Sequence, residues 1–205
     1  QPCGLGGPGL RMSLAFRSFV GSDVGAVLGD LARLRIAVFR DWPYLYDGDL
    51  TYERTYLELY TTPRAMVVGA FDGDQMVGAA TGMPLTNHDD DFGSALAGIA
   101  VPLENIFYCA ESVLLPLYRG QGAGHAFFDA REAHGRTLGL THAAFCGVQR
   151  PEDHPARPAG YRPLDTFWQK RGYAPVPGAI AHFSWKDLGD GFETDKPLQF
   201  WMKRL

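Results

Sequence analysis

The 205-residue sequence has few cysteines. It contains only Cys3, Cys109 and Cys146, and their spacing does not match that of a metal site. Cys109 and Cys146 lie within apolar, strand-like runs, so we expect both to be buried free thiols in a reducing compartment. No other grouping of side chains has metal-ligand spacing, and we predict no metal site.

The sequence also lacks long apolar runs and clusters of basic residues. No run approaches the ~18 residues of a membrane-spanning helix, and no basic segment precedes an apolar one as in a secretory signal. The formal net charge is -4. We therefore expect a cytoplasmic protein with neither nucleic acid nor membrane as a partner, whereas a cationic small molecule is not repelled.

What is present is typical of one globular domain with a full core, since 46% of the residues are hydrophobic and 20% are charged. Residues 1–11 are rich in Gly and Pro and show no periodicity. We expect them to be disordered or a remnant of cloning, and we place a single domain over residues 12–205.

Hydrophobic periodicity gives the order β-α-α-β-β-β-loop-α-β-α-β-β, which favours a mixed α/β sheet with helices packed on it. Ser22 is predicted to cap the first helix, and Asp72-Gly73-Asp74 is typical of a hairpin turn. The predicted elements are strand 14–20, helices 22–38 and 50–60, a hairpin over 65–85, a polar connector over 86–104, strand 105–116, helix 122–138, strand 141–148, a Pro-rich loop over 149–163, a short helix within 164–173, and strands 179–185 and 197–205.

A glycine-rich loop, Arg119-Gly-Gln-Gly-Ala-Gly124, separates a predicted strand from a predicted helix. The first N–H groups of a helix have no partners and carry partial positive charge, and glycines let a phosphate approach them directly. Arg119 adds a planar charged donor. No Lys-Ser/Thr follows as in a Walker A loop, and the G-x-G-x-x-G spacing of dinucleotide sites is absent. The loop predicts a cradle for a pyrophosphate.

The spacing Arg-x-x-Gly-x-Gly, after a strand that ends Leu-Leu-Pro-Leu-Tyr, resembles the acetyl-CoA loop of the GNAT acetyltransferases. The stretch Phe-Trp-Gln-Lys-Arg-Gly-Tyr-Ala-Pro resembles the late helix of that family, and the order of elements matches over 12–205. The resemblance implies an α/β fold with a mixed, mostly antiparallel sheet, a splayed central strand pair and flanking helices. It also implies an N-acetyltransferase that uses acetyl-CoA and releases coenzyme A.

The resemblance further implies where the cofactor binds. The diphosphate would reach the N–H groups of residues 121–124, and pantetheine would pair with the strand edge at residues 112–114, beside the splayed neighbour at 141–148. Trp168 stands where many members carry a Tyr that protonates the thiolate, so the proton donor is left open. The implied cofactor-binding residues are Val113, Leu114, Arg119, Gly120, Gln121, Gly122, Ala123, Gly124 and Trp168.

Glu111 is the predicted catalytic base because it is the acid of the strand that precedes the glycine loop. Burial would raise the pKa of its carboxyl. The alternative is a buried acid paired with an arginine or with backbone N–H groups. Tyr108 is the second catalytic candidate, although it and Glu111 face opposite sides of a regular strand unless a bulge intervenes.

Aromatic residues among carboxylates follow the first predicted helix and suit a cationic amine. We predict that Trp42, Tyr44, Tyr46 and Asp47 bind the substrate; a surface turn that tucks aromatics into the core is the alternative. Arg150, Arg157 and Arg162, in the Pro-rich loop, could instead bind a substrate carboxylate or the 3′-phosphate of the cofactor.

The predicted function is acetyl transfer to the amine of a small molecule by direct attack on the thioester of acetyl-CoA. A non-catalytic domain that binds or senses coenzyme A is one alternative, and a protein or peptide N-acetyltransferase is another. The strands near the C-terminus make a homodimer an additional expectation.

Overall fold

The computed structural model describes residues 13–88 and 91–205, so the segment 1–11 that we place outside the domain is not among the described residues. The strands are β1 (Ala15–Val20), β2 (Met66–Asp72), β3 (Gln75–Pro84), β4 (Ile106–Leu114), β5 (His142–Val148), β6 (Ala174–Trp185) and β7 (Thr194–Arg204). The helices are α1 (Leu28–Phe39), α2 (Leu50–Leu57), α3 (Asp91–Ala95), α4 (Ala123–Thr137) and α5 (Asp165–Lys170).

The described strands form one seven-stranded sheet in the order β1-β2-β3-β4-β5-β7-β6. All neighbours are antiparallel except β4 and β5, which are parallel. Apolar residues of α4 pack on one face of the sheet, and those of α1 and α2 pack on the other. The predicted α/β fold with a mostly antiparallel sheet is therefore confirmed.

The central parallel pair is splayed, as predicted. Strands β4 and β5 are paired only where Ile106, Phe107 and Tyr108 face His142, Ala143 and Ala144. From Cys109 onward β4 has no partner on its β5 side, while β3 still pairs with its other edge. The unpaired edge leaves a gap in the middle of the sheet.

A β-bulge lies in β4 at the start of this gap. Ala80 of β3 faces Ser112, but Gly82 faces Cys109, so β4 contains one residue more than β3 across the same interval. An extra residue reverses the alternation of side chains along a strand. Glu111 therefore faces α1 and α2.

Arg131 of α4 satisfies the backbone groups that the bulge displaces. Its Nη1 donates to the carbonyl oxygen of Glu111 at 3.1 Å and to that of Thr81 at 3.3 Å. Arg131 is 1% exposed. A guanidinium thus replaces ladder hydrogen bonds at the point where the strand is irregular.

Several elements differ from the sequence-based predictions; among them, α2 ends at Leu57 and β7 begins at Thr194. A 3-10 helix occupies Gly21–Val27, and α1 begins only at Leu28, without the predicted Ser22 cap. The polar connector contains α3, whose apolar side chain Phe92 is buried. Strand β6 begins at Ala174, because its irregular pairing before Ile180 continues the β7 ladder.

No helix within residues 13–88 and 91–205 is both long enough and apolar enough to cross a membrane.

Candidate active site

The carboxylate of Glu111 is the best-connected acid at the gap. Its Oε1 accepts a hydrogen bond from the Tyr56 hydroxyl at 2.9 Å and is ion-paired with Nη1 of Arg35. Its Oε2 accepts hydrogen bonds from the Tyr60 hydroxyl at 2.7 Å and from the Thr81 hydroxyl. Four donors therefore surround the carboxylate, and the Glu111 residue is only 8% exposed.

These partners decide the ionisation of Glu111. Burial alone would raise the pKa of its carboxyl, but Arg35 and the hydroxyls of Thr81, Tyr60 and Tyr56 together lower it below its usual range. The expectation of a raised pKa is wrong, because it took account of burial without the arginine. The alternative of an acid paired with an arginine describes the observed contacts, and Glu111 is a carboxylate at neutral pH.

Arg35 connects Glu111 to a second buried acid, Glu53. Its guanidinium donates to both carboxylate oxygens of Glu53, which is 0% exposed, and the Tyr46 hydroxyl donates to Oε1 of Glu53 at 2.9 Å. Although burial lowers the pKa of Arg35, Glu111, Tyr56 and Glu53 raise it overall. One cation and two carboxylates leave this cluster with one net negative charge.

A pocket of about 410 Å³ lies over the cluster, between the sheet and helices α1 and α2. Most of its walls are aromatic, and its floor reaches the gap, where Ala110, Glu111 and Cys146 lie on the two splayed strands. The lining residues are Arg35, Phe39, Tyr44, Tyr46, Tyr52, Tyr56, Leu59, His88, Phe92, Tyr108, Ala110, Glu111, Cys146, Phe183, Ser184, Trp185 and Leu198.

Tyr108, the second catalytic candidate, lies in this pocket because the bulge puts it on the same face as Glu111. Its side chain packs 4.6 Å from the ring of Phe92. Burial raises the pKa of the Tyr108 hydroxyl, with Cys146, Tyr56 and Glu111 adding to the effect. Tyr108 is therefore neutral over the physiological range and retains a proton that it can donate.

The predicted substrate residues separate into two groups. Tyr44 and Tyr46 line the pocket, and Asp47 lines an adjoining recess of about 330 Å³. Asp47 is ion-paired with Lys186 at 2.8 Å. Trp42 is not among the residues that line either space.

Trp42 instead packs on the Pro-rich loop over 149–163. Its ring lies 5.0 Å from that of His154 and 5.9 Å from that of Tyr161. Its indole therefore contacts that loop.

Arg150 holds the Tyr44 wall in place. It donates to the backbone oxygens of Pro43 at 2.8 Å and Tyr44 at 2.7 Å, and it is ion-paired with Asp187 at 2.7 Å. Trp185 also donates to the Tyr44 oxygen, at 3.0 Å. Because its donors are used in this way, Arg150 is a clamp between the loop after α1 and the β6–β7 loop, rather than a group free to bind a carboxylate or phosphate.

The glycine loop is open where a phosphate cradle requires space. Gly120 and Gly122 have φ values of 75° and 86°, and a Cβ on either would meet nothing within 4 Å. Helix α4 begins after Gly122 with no side-chain cap. Its first N–H groups therefore have no side-chain partner, as an anion cradle requires. Gly124 is different, because a Cβ there would lie 3.3 Å from Phe167.

The unpaired edge of β4 leads from this loop to the gap. The N–H of Leu115 donates to the Val77 oxygen on β3 at 3.0 Å. Since backbone groups alternate along an antiparallel strand, those of Leu114 point to the gap and those of Val113 to β3. Across the gap, Trp168 packs on β5, where a Cβ on Gly147 would lie 3.0 Å from its ring.

The sequence analysis did not predict five residues of the Glu111 cluster: Arg35, Glu53, Tyr56, Tyr60 and Thr81. A signal for the first four exists. Glu53, Tyr56 and Tyr60 recur at intervals of three and four, which places them on one face of a helix. Arg35 lies four residues after Leu31, within the apolar stripe of α1, so a buried cation is indicated there.

The sheet is open at its centre, with a glycine-rich helix start at one end of the gap and an aromatic pocket beside Glu111 at the other. The model of the acetyltransferase (GNAT) family matches residues 32–160, and the chain belongs to that family. The protein is therefore an acyltransferase, and its cosubstrate is acetyl-CoA.

Solved structures of several acetyltransferases share the fold. Ribosomal-protein-alanine N-acetyltransferase from Brucella melitensis has a TM-score of 0.59 at 14% identity, covering 93% of this chain and 99% of its own. A GCN5-related N-acetyltransferase from Kribbella flavida has a TM-score of 0.55 at 17% identity, and the match covers 94% of this chain and 98% of that one. PaiA N-acetyltransferase from Thermoplasma acidophilum, in complex with coenzyme A, has a TM-score of 0.53 at 12% identity. The match covers 95% of this chain and 100% of that one. No curated protein matches the sequence.

Proposed function

We propose that the protein transfers the acetyl group of acetyl-CoA to the amine of a small molecule with an apolar body, by direct attack of the amine on the thioester. The observation that carries the proposal is the aromatic pocket over the Arg35–Glu53–Glu111 cluster, whose floor opens into the β4–β5 gap beside Glu111. The two substrates would meet in that gap.

The described residues fit acetyl-CoA on the other side of the gap. The open N-terminus of α4, with Gly120 and Gly122, suits the diphosphate. The edge of β4 at Leu114, where a long 3.4 Å hydrogen bond from Arg119 Nε reaches the carbonyl oxygen, suits the amides of pantetheine, which would reach along the gap toward Glu111. The coenzyme A bound to PaiA N-acetyltransferase supports this use of the fold. When bound, acetyl-CoA supplies an activated acyl group and a thiolate leaving group.

The pocket favours an amine that carries no carboxylate. Arg35 is the only lysine or arginine among the described residues that line it, and its guanidinium is already paired with Glu53 and Glu111. A substrate carboxylate would be buried beside Glu111 with no free cation to pair with it. Aromatic faces such as those of Tyr44 and Trp185 attract an ammonium group and bury an apolar body.

Measuring the release of free thiol from acetyl-CoA tests this function. The panel should contain arylalkyl and alkyl amines, polyamines, aminoglycosides, amino acids and short peptides. We expect turnover with the apolar monoamines and at least tenfold lower kcat/KM for the matching amino acids. Preference for peptides would replace the small-molecule acceptor with a protein N-terminus, and a thermal shift with acetyl-CoA but no thiol release would indicate a binding domain.

A further inference from the structure

The Glu111 carboxylate lines the pocket but has no unoccupied acceptor position for a substrate amine. An ionised carboxylate offers about four acceptor positions. In Glu111 two donors occupy each oxygen: Arg35 and Tyr56 at Oε1, and Tyr60 and Thr81 at Oε2. A substrate N–H that reached Glu111 would therefore displace one of these partners.

Only one of the four donors both contacts the pocket and can exchange a proton. Tyr60 and Thr81 are each 0% exposed and do not line the pocket. Arg35 lines it, but a guanidinium between two carboxylates does not give up its proton. Tyr56 is half-buried, lines the pocket and donates to Oε1 at 2.9 Å.

We propose that Tyr56 is a catalytic residue that relays the proton of the substrate amine to Glu111. This inference rests on the proposed acetyl transfer. The phenol oxygen of Tyr56 accepts a proton from the substrate nitrogen while its own proton passes to Oε1 of Glu111. Tyr56 is neutral before and after the step, which is consistent with the raised pKa of its buried hydroxyl.

The atoms balance as follows. The amine nitrogen uses its lone pair to bond to the acetyl carbon, and the carbon–sulfur bond of the thioester breaks with its electron pair leaving on sulfur. The surplus proton on nitrogen moves to the oxygen of Tyr56, and the Tyr56 proton moves to Glu111. Glu111 ends the step neutral, and its proton returns to the thiolate or to solvent.

The low pKa of Glu111 is compatible with this role. An amine holds a proton too strongly to give it to such a carboxylate, but an amide nitrogen holds an extra proton very weakly. Proton transfer therefore becomes favourable as the carbon–sulfur bond breaks, and the relay operates during that step rather than before nitrogen attacks.

The test compares Tyr56→Phe with Tyr60→Phe, since each variant removes one hydroxyl hydrogen bond to the same carboxylate. Tyr60 does not line the pocket, so it serves as the matched control. We expect Tyr56→Phe to lower kcat by about 10² or more while leaving the affinity for acetyl-CoA unchanged. Tyr60→Phe should lower kcat by less than about tenfold. A proton inventory, in which kcat is measured in mixtures of H₂O and D₂O, should show two protons transferred in the rate-limiting step of wild type and of Tyr60→Phe. Tyr56→Phe should not show two.

A double variant adds a second criterion. If Tyr56 and Glu111 act as one unit, Tyr56→Phe combined with Glu111→Gln should be no slower than the slower single variant. Multiplied losses in the double variant, or equal losses in Tyr56→Phe and Tyr60→Phe, would overturn the relay. If the wild type is active and Tyr56→Phe is equally active, the relay is overturned but the proposed function stands. If the wild type releases no thiol with any amine, the proposed function is overturned as well.

Discussion

Tyr108 and Glu111 face the same pocket although three positions separate them along β4. In a regular strand, residues an odd number of positions apart point to opposite faces. The bulge between Cys109 and Ser112 removes that restriction, and it lies where β4 leaves β5. One irregularity therefore brings the two predicted catalytic candidates together at the entrance of the gap.

The stability of the protein should depend on Glu111 in a pH-dependent way. Glu111→Gln removes one partner of a buried arginine, so we expect it to cost about 3 kcal/mol of unfolding free energy at pH 7. The pKa of Glu111 is lower in the folded protein than its ordinary 4.5. Its contribution is therefore complete above that value and is lost as pH falls through the folded pKa.

Thermal denaturation of wild type and Glu111→Gln at a series of pH values measures this effect. The difference in Tm should be constant from pH 7 to about pH 5 and should shrink below the ordinary pKa of 4.5. A difference in Tm that is the same at pH 3 and pH 7 would contradict the ion pair.

The pH dependence of turnover should report the substrate. Since Glu111 is already ionised at neutral pH, kcat/KM should rise with pH as the free amine loses its proton. Two amines whose pKa values differ by about two units should shift the rising limb by about the same amount. A limb that stays at one pH for both amines would instead identify a titrating group of the protein.

The affinity for acetyl-CoA should depend on the absence of a side chain at Gly122, and not only on the backbone conformation of this residue. Gly122→Ala imposes a φ of 86° on a side chain and fills the open space over the start of α4. Gly139→Ala is the matched control, because its φ is 77°, its Cβ also meets nothing within 4 Å, and it lies after the other end of α4.

Both glycine variants should lose about 1–2 kcal/mol of stability from the left-handed backbone. Calorimetric titration with acetyl-CoA should show a Kd at least tenfold higher for Gly122→Ala and unchanged for Gly139→Ala. Equal affinities in the two variants would mean that the diphosphate binds elsewhere.

Arg150 should govern acceptor binding without touching the acceptor. Arg150→Met removes the donor of the Pro43 carbonyl and leaves Trp185 alone on the Tyr44 oxygen and Lys196 alone on Asp187, so the Tyr44 wall loses much of its support. We expect KM for the amine to rise about tenfold and the Kd of acetyl-CoA to stay the same. Steady-state kinetics with both substrates varied separates the two constants.

The control for Arg150 is Arg33→Met. Arg33 also bonds a carboxylate and a backbone oxygen, Asp30 at 3.2 Å and Met76 at 3.0 Å, but it does not line the pocket. An equal rise of the amine KM in both variants would show a general loss of stability rather than a clamp.

Features that depend on neighbouring residues could be predicted from the sequence. The turn at Gly73-Asp74 and the open cradle before α4 follow from glycines placed between apolar runs. The start of α1 could not be predicted in the same way, because Ser22 has the chemistry of a cap but lies in a 3-10 helix that precedes α1.

The Glu111 cluster could not be predicted from the sequence, for a different reason. Arg35, Glu53 and Glu111 come from two helices and a strand, and only tertiary packing brings them together. The sign of the Glu111 pKa shift depends on that meeting. Burial without Arg35 predicts a raised pKa, and burial with it gives a lowered one.

The gap between β4 and β5 also affects how firmly the two parts of the sheet are held together. It divides the sheet into plates of four and three strands, joined along the ladder by only three residue pairs. A ligand whose amides bond the free edge of β4 replaces part of the pairing that the chain itself leaves out. The reaction would then take place at the weakest seam of the sheet, and the cosubstrate would be a structural tie between the plates for as long as it is bound.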